Sequence, residues 1–221
     1  MAILLPNSVF IHTPKTGGQW VTSALERAGL VRGKSGVVHA TTDEIFTTSN
    51  LTENKMTFAF VRHPLSWYQS MWAHRMDEQW QPIDDTEWFS SNWIRIWADF
   101  TKYCQSNNFN EYIAKCVDHF PGGFLSSLFD AYTHSCDFVG KQEQLASDLI
   151  TVLTLAGEDF ELKQIKETPK KNIRGRQPKR RYQTIFTNES IDRIMKAENR
   201  LIRKFNYYDI PYELSTTYRL E

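Results

Sequence analysis

Residues 9–20 read VFIHTPKTGGQW. Val9, Phe10 and Ile11 are β-branched or aromatic and are bounded by Asn7-Ser8 and Pro14, which predicts a short buried strand. Past the glycines, Trp20, Val21, Ala24, Leu25 and Ala28 recur at helical spacing, and Gly29 supplies a stop. The stretch therefore reads as strand, loop, helix. A loop such as PKTGG entering a helix offers an anion the first backbone N–H groups, the positive end of the helix dipole and a lysine ammonium. Gly17 and Gly18 let the backbone approach such a ligand closely. The same residues also suit a plain surface turn with a solvated lysine, and the phosphate-loop consensus GxxxxGK[ST] is absent because Lys15 precedes the glycines.

A second strand follows the same plan. Met56 to Val61, MTFAFV, is apolar apart from Thr57, as expected of a parallel strand covered on both faces, and it runs through Arg62-His63 into a helix opened by Pro64. Arg62 and Ser70 stand eight residues apart, so a guanidinium and a hydroxyl can grip one phosphate, although an arginine–carboxylate pair with a small packing serine is the plainer alternative. A third strand is predicted at Asp137 to Gly140, followed by a helix with Leu145, Leu149, Val152 and Leu153 at core spacing. A last helix begins near Thr187 and buries Ile191, Ile194, Met195, Leu201, Ile202 and Phe205. Alternating strands and helices predict an α/β fold with a central, mainly parallel sheet flanked by helices, with ligands at the carboxyl ends of the strands.

Composition narrows the classes. The chain has 221 residues and 41% hydrophobic composition, which suits a single domain over residues 1–221. Its 26 basic and 26 acidic residues cancel, so no global field draws it to nucleic acid or an anionic membrane. Local charge is what matters: residues 170–181 hold seven basic side chains and no acidic one. Cys104, Cys116 and Cys136 are odd in number and lack metal-ligand spacing, which favours a reduced, cytoplasmic protein. The opening MAILLPNSV is apolar over too few residues for a secretion signal or a membrane span.

The two turns together resemble the cofactor-binding segments of sulfotransferases that use 3'-phosphoadenosine 5'-phosphosulfate (PAPS), whose fold is of the P-loop-like nucleotide-binding type. The resemblance covers residues 9–75 and 136–205, and it implies a cofactor-binding core there with a helical acceptor-binding region at 76–135. It implies that Lys15, Thr16, Gly17, Gly18 and Gln19, with the N–H groups of residues 17–20, hold the 5'-phosphosulfate, and that Trp20, five residues after Lys15, stacks on adenine. Arg62 and Ser70 have the family's spacing for the 3'-phosphate. His39, 23 residues before Arg62, stands where cytosolic members carry the general base, although Val37 replaces their second lysine. Arg174 and Gly175 are the nearest matches to the loop over the 3'-phosphate, without the usual Arg-Lys-Gly order.

On that resemblance the expected reaction is in-line sulfuryl transfer to a hydroxyl or amine of a small-molecule or carbohydrate acceptor, with adenosine 3',5'-bisphosphate (PAP) leaving, Lys15 and His39 catalytic, and no metal, nucleic acid or membrane involved. His74, Asp77 and Glu78 are alternative sources of the base or of acceptor contacts. Six of the seven tryptophans, from Trp67 to Trp97, fall in a window where rings either stack on an acceptor or form a buried helix stripe. Two other classes compete. A kinase with the same loop calls for an acidic magnesium ligand at a strand end, where this chain has Arg62-His63. A non-enzymatic binder of nucleic acid or an acidic glycan uses residues 170–181 and leaves PKTGG unemployed.

Overall fold

A computed structural model describes residues 1–48, 54–82, 91–169 and 184–211. Five strands, β1 (Ala2–Leu4), β2 (Ser8–Ile11), β3 (Gly33–Ser35), β4 (Met56–Val61) and β5 (Phe138–Lys141), form one sheet in the order β3-β1-β2-β4-β5. The helices of the described residues are α1 (Gly18–Arg27), α2 (Thr42–Thr48), α3 (Pro64–Asp77), α4 (Ser91–Cys104), α5 (Phe109–His119), α6 (Phe124–Thr133), α7 (Leu145–Leu155), α8 (Leu162–Lys166), α9 (Asn188–Ala197) and α10 (Asn199–Phe205). The class is α/β, and no described helix is long and apolar enough to cross a membrane.

The sheet is mixed rather than mainly parallel. β2 pairs parallel with β4, and β4 with β5, whereas β1 pairs antiparallel with both β2 and β3. The antiparallel half has a local cause: Leu5, Pro6 and Asn7 alone join β1 to β2, closed by Leu5 N–H donating to Ser8 O at 2.9 Å, and so short a connection only reverses the chain.

The described residues gather into two compact units, residues 1–48, 54–62 and 129–169 in the first and residues 63–82, 91–128 and 184–211 in the second. In the first unit Ile3, Phe10, Phe58 and Phe60 point to one face of the sheet and are fully buried in a core completed by Val21 and Leu25 of α1, Leu149, Val152 and Leu153 of α7 and Ile165 of α8. Alternate residues of the strands, Val9, Ile11, Ala59 and Val61, are fully buried as well, as the run MTFAFV requires. At the amino ends of the strands, Glu158 Oε1 accepts from Asn7 N at 2.9 Å and from Ser8 Oγ at 2.6 Å. Asp137 Oδ2 takes Thr57 N and Thr57 Oγ1, both at 2.8 Å.

In the second unit the described tryptophans of the aromatic window are core. Trp67, Trp97, Phe100, Tyr112 and Phe124 are buried together, with the rings of Phe100 and Phe124 4.5 Å apart, so the stripe of α4 serves packing. The expected single last helix is two, α9 and α10, broken at Glu198. Glu198 is fully buried; its Oε1 accepts from Tyr68 Oη (2.7 Å) and Leu125 N (3.0 Å), and its Oε2 from Ser126 N and Oγ (both 2.7 Å). Burial pushes its carboxyl pKa up while these hydrogen bonds pull it down. It caps the start of α6, and Gly123 is obligatory there, since its φ is 85° and a Cβ would stand 2.5 Å from Glu198 Oε2.

Removing the carboxylate orphans buried donors, so Glu198→Ala is expected to cost about 3 kcal/mol and Tyr68→Phe about 1 kcal/mol. Urea unfolding followed by tryptophan fluorescence measures both; a Glu198→Ala protein as stable as the parent would contradict this account.

Candidate active site

The loop after β2 is built by constraints that the sequence only hints at. Lys15 has φ 63° and Gly17 φ 89°, both left-handed, with Thr16 between them. This alternation of hand turns successive peptide N–H groups to one side, the backbone form that receives anions. A lysine in this region carries a strain of about 1–2 kcal/mol, which the surrounding contacts hold. Thr16 is fully buried and its hydroxyl donates to Thr13 O at 2.9 Å, bracing the loop from inside. α1 then starts at Gly18 with no side-chain cap on Gly17, and Arg27 closes its last turn.

The two glycines have separate reasons. A Cβ on Gly17 would come 2.7 Å from Leu145 Cδ2, and one on Gly18 would come 2.0 Å from His12 Cδ2 and 2.1 Å from its Nε2. The expected purpose, an open approach for a ligand, is thus not what fills the space over these Cα atoms: a leucine and an imidazole of the chain itself lie there.

His12, overlooked in the sequence, is the centre of this arrangement. It is 8% exposed, its ring stacks at 5.9 Å on Phe10, and its Nδ1 is buried without a hydrogen-bond partner. Burial pushes its pKa down to about 4. The only signal in the sequence was a histidine directly after an apolar strand, six residues before a glycine.

His39 lies against it. The two imidazoles meet edge to face with centroids 4.9 Å apart, His39 Nδ1 is 3.3 Å from His12 O, and Tyr132 Oη donates to His39 O at 2.7 Å. Burial, then the His12 ring, hold the His39 pKa well below its ordinary value, so the ring is neutral near pH 7.

Arg62 follows β4 at the same edge of the sheet, and its Nη1 donates to Lys15 O at 3.3 Å, tying the second basic turn to the first. Lys141 ends β5 opposite Val61, adding a basic residue at this edge that the sequence reading did not single out. Trp20 is partly buried against the core of the first unit, and its Nε1 donates to Thr168 O at 3.3 Å, which fixes the plane of the indole. Its backbone N–H is spent on Gly17 O at 2.9 Å and is not among the donors left for an anion. Gln19 is exposed.

Lys15, Thr16, Gly17, Gly18, Gln19, Trp20, His39 and Arg62 therefore all belong to the first unit. Ser70 lies on α3, in the second unit, as does His74, whose Nε2 meets Glu78 Oε1 at 3.1 Å. Arg174, Gly175 and the basic run 170–181 lie outside the described residues. No cluster of three histidine, cysteine or acidic side chains placed to hold a metal ion occurs among the described residues.

Family models, curated proteins and solved structures give no match to this chain.

Two outcomes follow from the His12 environment. Between its ordinary pKa of 6.5 and the buried value of about 4, the unfolded chain binds a proton that the folded chain refuses. The stability held above pH 6.5 is therefore lost progressively as pH falls towards 4, by about 3 kcal/mol for this ring alone. Urea unfolding across that window measures it, and His12→Phe should remove this ring's share of the dependence while leaving that of His39. Gly18→Ala must drive the imidazole from its seat and should cost about 2 kcal/mol, read by the same method.

Proposed function

We propose that the chain is a PAPS-dependent sulfotransferase of P-loop-like architecture, acting on a hydroxyl or amine of a small-molecule or carbohydrate acceptor. The observation that carries this reading is the joint placement, in one unit, of the left-handed Lys15 loop at the head of α1, Arg62 bonded to that loop, and a neutral His39 beside it.

The residues fit the donor. The backbone alternation at positions 15–17, the uncapped start of α1 and the Lys15 ammonium suit a phosphosulfate, and the guanidinium of Arg62 suits a further phosphate. The tethered indole of Trp20 suits a purine face. When bound, PAPS supplies an activated sulfuryl group and departs as PAP.

The chain's own part is electrostatic and positional. Lys15 and the amino end of α1 oppose negative charge that grows at the loop, while the left-handed backbone keeps those groups oriented in advance. His39, neutral because it is half-buried beside another imidazole, accepts the acceptor's proton. Burial that lowers its pKa also weakens it as a base, so its value lies in being unprotonated and fixed rather than strongly basic.

Thermal unfolding with ligands tests the donor assignment. PAP should raise Tm well above the shift given by ADP, with about 2.7 kcal/mol of stabilisation at a hundredfold excess over Kd. Arg62→Ala should remove most of that difference; equal shifts from the two nucleotides in the parent chain would overturn the reading. His39→Ala should keep the PAP shift and lose transfer, scored by mass spectrometry as sulfuryl mass gains in a metabolite extract supplied with PAPS.

A further inference from the structure

We infer that His12 is the positioning residue for His39, setting which of its ring nitrogens is basic and joining that base mechanically to the Lys15 loop. The inference rests on the reading of His39 as the proton acceptor. It adds the device that puts the basic lone pair on one nitrogen of that ring and keeps the ring in place.

A main-chain atom sets the tautomer. His39 Nδ1 lies 3.3 Å from His12 O, and a carbonyl oxygen only accepts, so this contact is a hydrogen bond when Nδ1 carries the proton. The basic lone pair of a neutral ring is then on Nε2. The carbonyl itself is fixed because residue 12 extends the β1–β2 ladder, with His12 N donating to Met1 O at 3.3 Å.

The side chain completes the device. One edge of the His12 imidazole occupies the space over Gly18 and its ring meets His39 edge to face at 4.9 Å, so the first residue of α1 and the ring of His39 bear on the same rigid group. His12 is neutral near pH 7 in its buried seat, where its pKa is pushed down to about 4. Tyr132 Oη, donating to His39 O at 2.7 Å, holds the other end of the residue. A shift of α1 or of the Lys15 loop is thereby transmitted to the proton acceptor through contact rather than through solvent.

The test is long-range ¹H–¹⁵N spectroscopy on the full chain with ¹⁵N-labelled histidine rings, the His39 signals being identified by their loss in His39→Gln. The expected result is a His39 ring protonated on Nδ1 near neutral pH. His12→Ala keeps the carbonyl but removes the ring that seats His39 against it, so the Nε2–H form should appear, and kcat with PAPS should fall about tenfold to a hundredfold, by a larger factor than the affinity for PAP. His12→Phe, which keeps a flat ring against His39, should recover the Nδ1–H form and most of kcat. An Nε2–H ring in the parent chain overturns the inference, as does a His12→Ala protein with parental His39 signals. Those spectra need no turnover: an Nδ1–H ring that loosens in His12→Ala, found in a chain that transfers no sulfuryl group, upholds the positioning and removes only the reaction assigned above.

Discussion

Register between β2 and β4 decides where the candidate site residues of the first unit fall. Ile11 stands opposite Ala59, and Val61 opposite Lys141, so the Lys15 loop, Arg62 and Lys141 leave the sheet at one edge. The register is enforced from both sides. Phe10, Phe58 and Phe60 must share one face to meet α1 and α7, and a slip of one residue would turn an entire strand's aromatic set the wrong way. At the opposite edge, Glu158 and Asp137 fasten the amino ends of β2 and β4 with charged acceptors that match no other alignment of the strands.

Within that frame the loop owes its shape to contacts with its own chain. Leu145 and His12 occupy the volumes that side chains at positions 17 and 18 would need, and Thr16 turns its hydroxyl inward. The outcome is a rigid turn with its strain held by packing, which under the proposed function would let it meet an anion without rearranging. The same packing explains why His12 is neutral and buried, and why His39 beside it is neutral too. Electrostatics and sterics here share one cause.

The parts of the fold that can be read from the sequence are those with a strong local signature. The continuous runs around Phe10 and Phe58 mark parallel strands, Gly29 with φ 66° stops α1, and Thr187 caps α9 through its bond from Ser190 N. β1 and β3 escape such reading because each has three residues, and GKS carries no apolar alternation at all. The break at Glu198 is invisible because it depends on backbone donors of α6 more than 70 residues away in sequence. In the candidate site, Lys15 and Arg62 declare themselves by position after strands, whereas His12 looks like one more strand residue until the space over Gly18 is known. The tryptophan-rich window carries a double meaning in sequence, and burial of Trp67, Trp93 and Trp97 resolves it as packing for those rings.

The long-range ties of the first unit also order events in time. β2 is secured at its start by Glu158, α1 is secured through Trp20 to the carbonyl of Thr168, and β4 has β5 as its neighbour on one side. None of these partners exists when residues 1–62 first leave the ribosome. Sequence-distant pairing of this kind is slow, because the loop must close before any contact repays it. The ladder edge of β4 that faces β5 therefore waits through the synthesis of most of the second unit, an interval in which the nascent chain offers that open edge of MTFAFV to chaperones or to another copy of itself.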